Sequence, residues 1–221
     1  MSVTRWPLAG LLLAVCVSSQ AADPAAVYSN GGANPAAMAC VSCHGADGEG
    51  MAAAGFPRLA GLSADYMRKQ LADFASGARA NPIMQPLAAA LSPAEADAVT
   101  TMLANKPGPQ VKRISRAAAA EGTGAVLALR GAWERNIPEC VACHGPSGAG
   151  VGKAFPPLAG QSAQYLSSQL IAWQQGTRKN DPNDLMGHIA RNLTQGEIAA
   201  VAEYFADLTD TGVRRHRKLT P

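Results

Sequence analysis

The chain has 221 residues and a formal charge of +3; hydrophobic residues make up 48% of it and aromatic residues only 5%. Residues 22–105 carry four basic against seven acidic side chains and residues 122–210 six against eight, so the positive excess lies in "KPGPQVKRISR" and the terminal "RRHRK". Both main stretches are mildly acidic, which argues against a nucleic-acid-binding face and leaves the basic runs as a linker and a solvated tail, or as a contact for an acidic partner or membrane surface.

Residues 1–21 read as a secretory signal. Arg5 precedes an apolar run at 8–17, too short to span a bilayer, and Ser19-Gln20-Ala21 offers small residues for cleavage, with Cys16 discarded. A first unit follows at 22–105. It opens with a short helix, then carries "CVSCHGADGEG" from Cys40 and "FPRLAGLSADYMRKQLADFASGAR" from Phe56. Ser63 sits where an N-cap belongs, Tyr66, Met67, Leu71 and Phe74 fall on one helical face, and Gly77 closes that helix. Ser92-Pro93-Ala94-Glu95 has the capping-box residues of a closing helix, with Pro at its first position. The Pro-, Gly- and base-containing stretch 106–121 reads as a linker.

The second unit, 122–210, repeats the first. "CVACHGPSGAG" begins at Cys140, a hundred positions after Cys40, and "FPPLAGQSAQYLSSQLIAWQQGTR" aligns Tyr165 with Tyr66, Leu170 with Leu71 and Trp173 with Phe74. Its opening helix is expected at 126–133. Aligning "AVYSNGGA" with "AVLALRGA" pairs Gly32 with Gly131, and these glycines are read as points of close helix crossing. Ser162 and Gly176 bracket the middle helix, Thr194 and Glu197 repeat the capping box, and Ile198, Val201, Tyr204, Phe205 and Leu208 form an apolar stripe. A basic tail, 211–221, ends the chain. Alternating strand-like runs are almost absent, so the expected class is all-α. Units of this size with few aromatics offer a thin core and need a staple.

Three chemistries compete for Cys-x-x-Cys-His. A thiol redox couple needs a strand–helix setting that the pattern lacks. Structural zinc on four thiolates leaves both histidines unexplained. Covalent attachment of c-type haem uses every residue. Cys40 and Cys43, and likewise Cys140 and Cys143, present two thiols to one porphyrin edge, while His44 and His144 follow as iron ligands. Two full motifs imply two haems, each supplying the apolar core its unit lacks.

The sixth ligand follows from the repeat. Met186 is the sole methionine after the linker, seven residues before Leu193; the same count back from Leu91 reaches Met84. Met38 and Met51 crowd the motif, and Met67 and Met102 sit in helix stripes where methionine packs. His188 competes with Met186 but is matched by Pro86 in the first unit, and His216 belongs to the tail. The carbonyls of Pro57 and Pro156 are candidates to accept from Nδ1 of His44 and His144. Arg79 and Arg178 are candidates either for the haem propionates or for plain surface charge.

The doubled "CxxCHG", the "FPxLAG" after each, "QL" in each middle helix, "GxR" and the methionine before the last helix make this chain resemble the two-haem c-type cytochromes of the cytochrome c4 group. That resemblance implies two tandem class I cytochrome c domains, all-helical, each wrapped around a covalent haem, their haem edges facing across an interface, in the bacterial periplasm. It implies an electron carrier and not an enzyme, passing single electrons from a quinol-oxidising complex to a terminal oxidase, with His44 and Met84 on one iron and His144 and Met186 on the other. The partners implied are redox proteins, with peripheral contact to membrane complexes and no nucleic acid or small-molecule substrate. Two other readings are an electron-accepting subunit of a dehydrogenase and, among enzymes, a two-haem peroxidase, which needs an open iron site.

Overall fold

The computed structural model describes residues 22–115, 117 and 119–209. The expected signal segment and basic tail lie outside the described residues. Two helical lobes follow one another along the chain. The first holds α1 (Pro24–Asn30), α2 (Val41–His44), α3 (Ala64–Ser76), α4 (Met84–Ala90) and α5 (Pro93–Ala104). The second holds α6 (Thr123–Arg130), α7 (Cys140–His144), α8 (Ala163–Gln174), α9 (Leu185–Arg191) and α10 (Gln195–Ala206). Among the described residues β pairing is limited to isolated bridges.

Local chemistry accounts for the ends of these helices. Ser63 and Ser162 cap α3 and α8 by accepting from the backbone N–H of Tyr66 and Tyr165. Ser92 with Glu95 and Thr194 with Glu197 close complete capping boxes at α5 and α10. Gly77 ends α3 in the left-handed conformation, whereas Gly176 lies one residue beyond the Gln175 cap of α8.

In each lobe the first helix packs on the last, α1 on α5 and α6 on α10, and the middle helix packs on the methionine-bearing helix that follows it. The second core is the fuller: Leu127, Leu129, Ile137, Ile198, Val201, Phe205 and Leu208 are all buried in it, against Val27, Leu62, Met67, Val99 and Leu103 in the first.

Two sequence expectations are corrected. The opening helix of the second lobe spans Thr123–Arg130 and stops at Gly131, so Trp133 starts a separate 3-10 turn rather than ending the helix. The glycine register also differs. Gly31, not Gly32, occupies the place of Gly131: both cap their helices at positive φ, and the residues after them, Gly32 and Ala132, donate to Ala37 and Ile137. Neither is the crossing point. A Cβ on Gly124 would lie 2.2 Å from the Ala200 carbonyl oxygen of α10, so Gly124 is what lets α6 approach.

Residues 106–115 run over both lobes. Gly108 lies against Gly61, Val111 bridges to Thr209, and Ile114 N–H donates to Ser147 Oγ at 2.7 Å. The lobes also meet directly where Arg79 and Arg178 form an antiparallel bridge flanked by Ala80 N–H to Thr177 O at 2.8 Å and Lys179 N–H to Ala78 O at 2.9 Å.

Candidate haem sites

Each cysteine pair lies on a single helical turn, α2 or α7, which places its two thiols on one side and the histidine at the helix end. Cys40, Cys43, His44 and Met84 of one lobe and Cys140, Cys143, His144 and Met186 of the other line one continuous, mainly apolar cavity of about 580 Å3. His44 and His144 are each 7% exposed. Nδ1 of His44 stands 2.9 Å from Pro57 O and Nδ1 of His144 stands 2.8 Å from Pro156 O. Those carbonyls can only accept, so each ring keeps its proton on Nδ1 and leaves the Nε2 lone pair free. Burial pushes both imidazoles below their ordinary pKa, which favours the neutral form an iron ligand requires.

The four thiols are unpaired. Burial raises the Cys40 thiol and takes Cys140 up to about 12, the reverse of the depressed value that a thiol redox couple uses. Among the described residues no three His, Cys, Asp or Glu side chains converge as a metal cage, so the two pairs are not halves of one zinc site.

Met84 and Met186 both sit at the start of their helices, half-buried on the cavity wall. Asn81 Oδ1 accepts from Met84 N–H at 2.8 Å and starts α4 there. In the second lobe three more residues separate the arginine from the methionine; a 3-10 turn at Pro182–Asp184 absorbs them, and Asp181 accepts from Gly187 N–H at 3.0 Å. His188 points elsewhere: it is exposed, lies off the cavity wall and stands 3.3 Å from Asn192 Nδ2. Met38 and Met67 also reach the cavity; Met38 is 60% exposed and Met67 is packed into the first core. Met51 and Met102 lie away from it.

The surface-charge reading of Arg79 and Arg178 is overturned. They are 5% and 6% exposed and lie at the lobe interface on the cavity wall. Arg79 donates to Tyr165 Oη at 2.7 Å, Gln169 Oε1 at 2.6 Å and Gln70 Oε1 at 3.0 Å, with its guanidinium over the Phe74 ring. Arg178 donates to Gln169 at 2.9 Å and Gln70 at 3.2 Å and stacks on Trp173. Burial, and then the like charge of Arg79, push the Arg178 guanidinium below its usual value. Among the described residues neither arginine makes an ion pair, although two buried cations call for anions. Thiols, imidazoles, thioethers and guanidinium groups all line this one cavity, and a ligand that is flat, apolar and edged with carboxylates meets that donor set.

A sequence model of cytochrome c matches residues 29–106 and again 134–209. The chain belongs to the cytochrome c family. Covalent haem c is that family's prosthetic group. The chain is 68% identical to the "thiosulfate dehydrogenase electron acceptor" of Stutzerimonas stutzeri strain A1501, over 94% of this chain and 97% of that one. Among solved structures it resembles the thiosulfate dehydrogenase TsdBA of Marichromatium purpuratum, with a TM-score of 0.75 and 41% identity; the match covers 84% of this chain and spans 39% of that longer one. Reduced cytochrome c4 from Pseudomonas stutzeri matches with a TM-score of 0.67 and 30% identity over 76% of this chain and 93% of that one. The chain is therefore a c4-like cytochrome that transfers electrons, and its partners are redox proteins.

Proposed function

We propose that this cytochrome is the periplasmic two-haem electron acceptor of a dehydrogenase, with thiosulfate as that enzyme's reductant. The near full-length identity of 68% to a protein named for that role carries the reading. Shuttling between a quinol-oxidising complex and a terminal oxidase stands second, because it rests on the more distant cytochrome c4 likeness at 30% identity.

In this reading residues 1–21 direct export, and 22–105 and 122–210 each hold one haem. Cys40 and Cys43 form thioether links in the first unit, Cys140 and Cys143 in the second. His44 with Met84 would hold the iron of the first haem, and His144 with Met186 that of the second. Haem c supplies a one-electron iron couple. An imidazole and a thioether held in place by the protein on each iron would leave little to rearrange on electron transfer, and the neutral sulfur would raise the potential. Arg79 and Arg178, buried without carboxylate partners, receive the propionates. Two one-electron sites in one chain can take the electron pair released by a two-electron oxidation.

The test is anaerobic mixing of the holoprotein with thiosulfate dehydrogenase and thiosulfate, followed by stopped-flow absorbance. Reduction of both haems is expected, faster than with quinol and a quinol–cytochrome c reductase. Reduction by the second pair alone would overturn the assignment.

A further inference from the structure

The two lobes differ at one peptide bond beside the histidine. In the first lobe the carbonyl facing His44 Nδ1 belongs to the Pro57–Arg58 peptide, and the N–H of that same peptide donates to Gln161 Oε1 in the second lobe at 3.0 Å. Gln161 Nε2 donates to Arg58 O at 3.0 Å, and Oε1 also accepts from Ser162 N–H at 3.1 Å. Two N–H groups at Oε1 and a carbonyl at Nε2 fix which way the amide points. Gln161 is 4% exposed and Arg58 7%, so water does not compete. The second lobe has no such chain. Its acceptor carbonyl lies in the Pro156–Pro157 peptide, which carries no N–H, and the residue matching Gln161 in the first lobe is Leu62.

We propose that Gln161 is a positioning residue that lowers the reduction potential of the first-lobe haem from the second lobe, by polarising the Pro57–Arg58 peptide that holds His44. The proposal rests on the haem ligation given above. A peptide whose N–H is bonded has a more negative carbonyl oxygen, and bonds in such a chain strengthen one another by roughly 10–30% each. A stronger acceptor at Nδ1 makes the imidazole a better donor through Nε2, which favours ferric iron. Otherwise matched ligand sets then acquire different potentials, and docking of the lobes sets the difference. The buried guanidinium of Arg58 acts with the opposite sign, since a nearby positive charge favours ferrous iron.

Spectroelectrochemical titration of the holoprotein tests this. Gln161→Leu, which copies Leu62, is expected to raise one of the two potentials by roughly a two- to four-fold change in its reduction equilibrium, leaving the other unmoved. Arg58→Ala keeps the peptide N–H and removes the charge, so it must not reproduce the rise. Unmoved potentials in Gln161→Leu with both methionine–iron absorptions intact, or the same rise in Arg58→Ala, overturn the proposal. Without any variant, the Nδ1 proton of His44 in the fully reduced protein is expected downfield of that of His144; equal or reversed shifts also overturn it. A wild-type holoprotein lacking the methionine–iron absorption instead defeats the ligation reading, and that result is distinguishable from the others.

Discussion

Replacing Gly124 with alanine pits backbone entropy against packing. The added Cβ would lie 2.2 Å from the Ala200 carbonyl oxygen and 3.0 Å from Tyr204 Cβ, so α6 and α10 must part. Overpacking of this kind costs about 1–3 kcal/mol. Restricting the unfolded chain returns about 0.4–1 kcal/mol. Packing wins, and a net loss of about 1–2 kcal/mol is expected. Gly196 provides the control: it occupies the same second position in α10 that Gly124 holds in α6, and a Cβ there meets nothing within 4 Å. Gly196→Ala carries the entropic gain alone and should stabilise the protein. Denaturant unfolding of both holoproteins, followed by circular dichroism and by haem absorbance, gives the difference directly. Because Val201, Ala202 and Phe205 of α10 form part of the cavity wall, haem absorbance should respond in Gly124→Ala. Equal stability of the two variants, within about 0.5 kcal/mol, would refute the assignment of Gly124 as the crossing point.

Met186→Ala should abolish the far-red methionine–iron absorption of one haem, whereas His188→Ala should leave both; loss in the histidine variant alone would reverse the ligand choice. Arg79→Met strips donors from half-buried Tyr165 and Gln169, and should weaken lobe docking by about 1–3 kcal/mol, read as separate unfolding transitions for the two lobes. A single transition at an unchanged midpoint would count against it. Glu197 accepts from Arg135 Nη2 at 2.6 Å and from Thr194 N–H at 2.8 Å, and these bonds, the arginine's first, lower its carboxyl to about 2. Its folded value lies below the unfolded 4.5, so its stabilisation is present above pH 4.5 and fades as pH falls from there to about 2. Glu197→Gln should cost about 1 kcal/mol near neutrality and nothing near pH 2 in acid-unfolding curves; an equal cost at both pH values would sink this account.

Much of the fold was legible because its determinants are local. Capping boxes at Ser92 and Thr194 need residues three apart, and helical stripes need only their period, so both could be read without the third dimension. Legibility failed where spacing drifts between copies. The offset is 100 at the cysteines, 99 at the tyrosines and 102 at the methionines. Aligning on "GGA" and "RGA" therefore set the glycine register one residue wrong, while backbone hydrogen bonds place Gly31 opposite Gly131. His188 had the right chemistry, and only its position on the outer face of α9 removes it from the cavity.

The sequence by itself determined that this is a doubled helical c-type cytochrome, because two thiols and a histidine must sit at fixed positions on one helical turn to meet a porphyrin edge. What tertiary structure alone decided is how the copies join. Arg79 and Arg178 are buried against each other's lobes, and Gln161 reaches the peptide behind His44 from 103 residues away. No local pattern encodes such contacts, since they arise only when two folded surfaces are pressed together and each buried polar group must find its partner on the other.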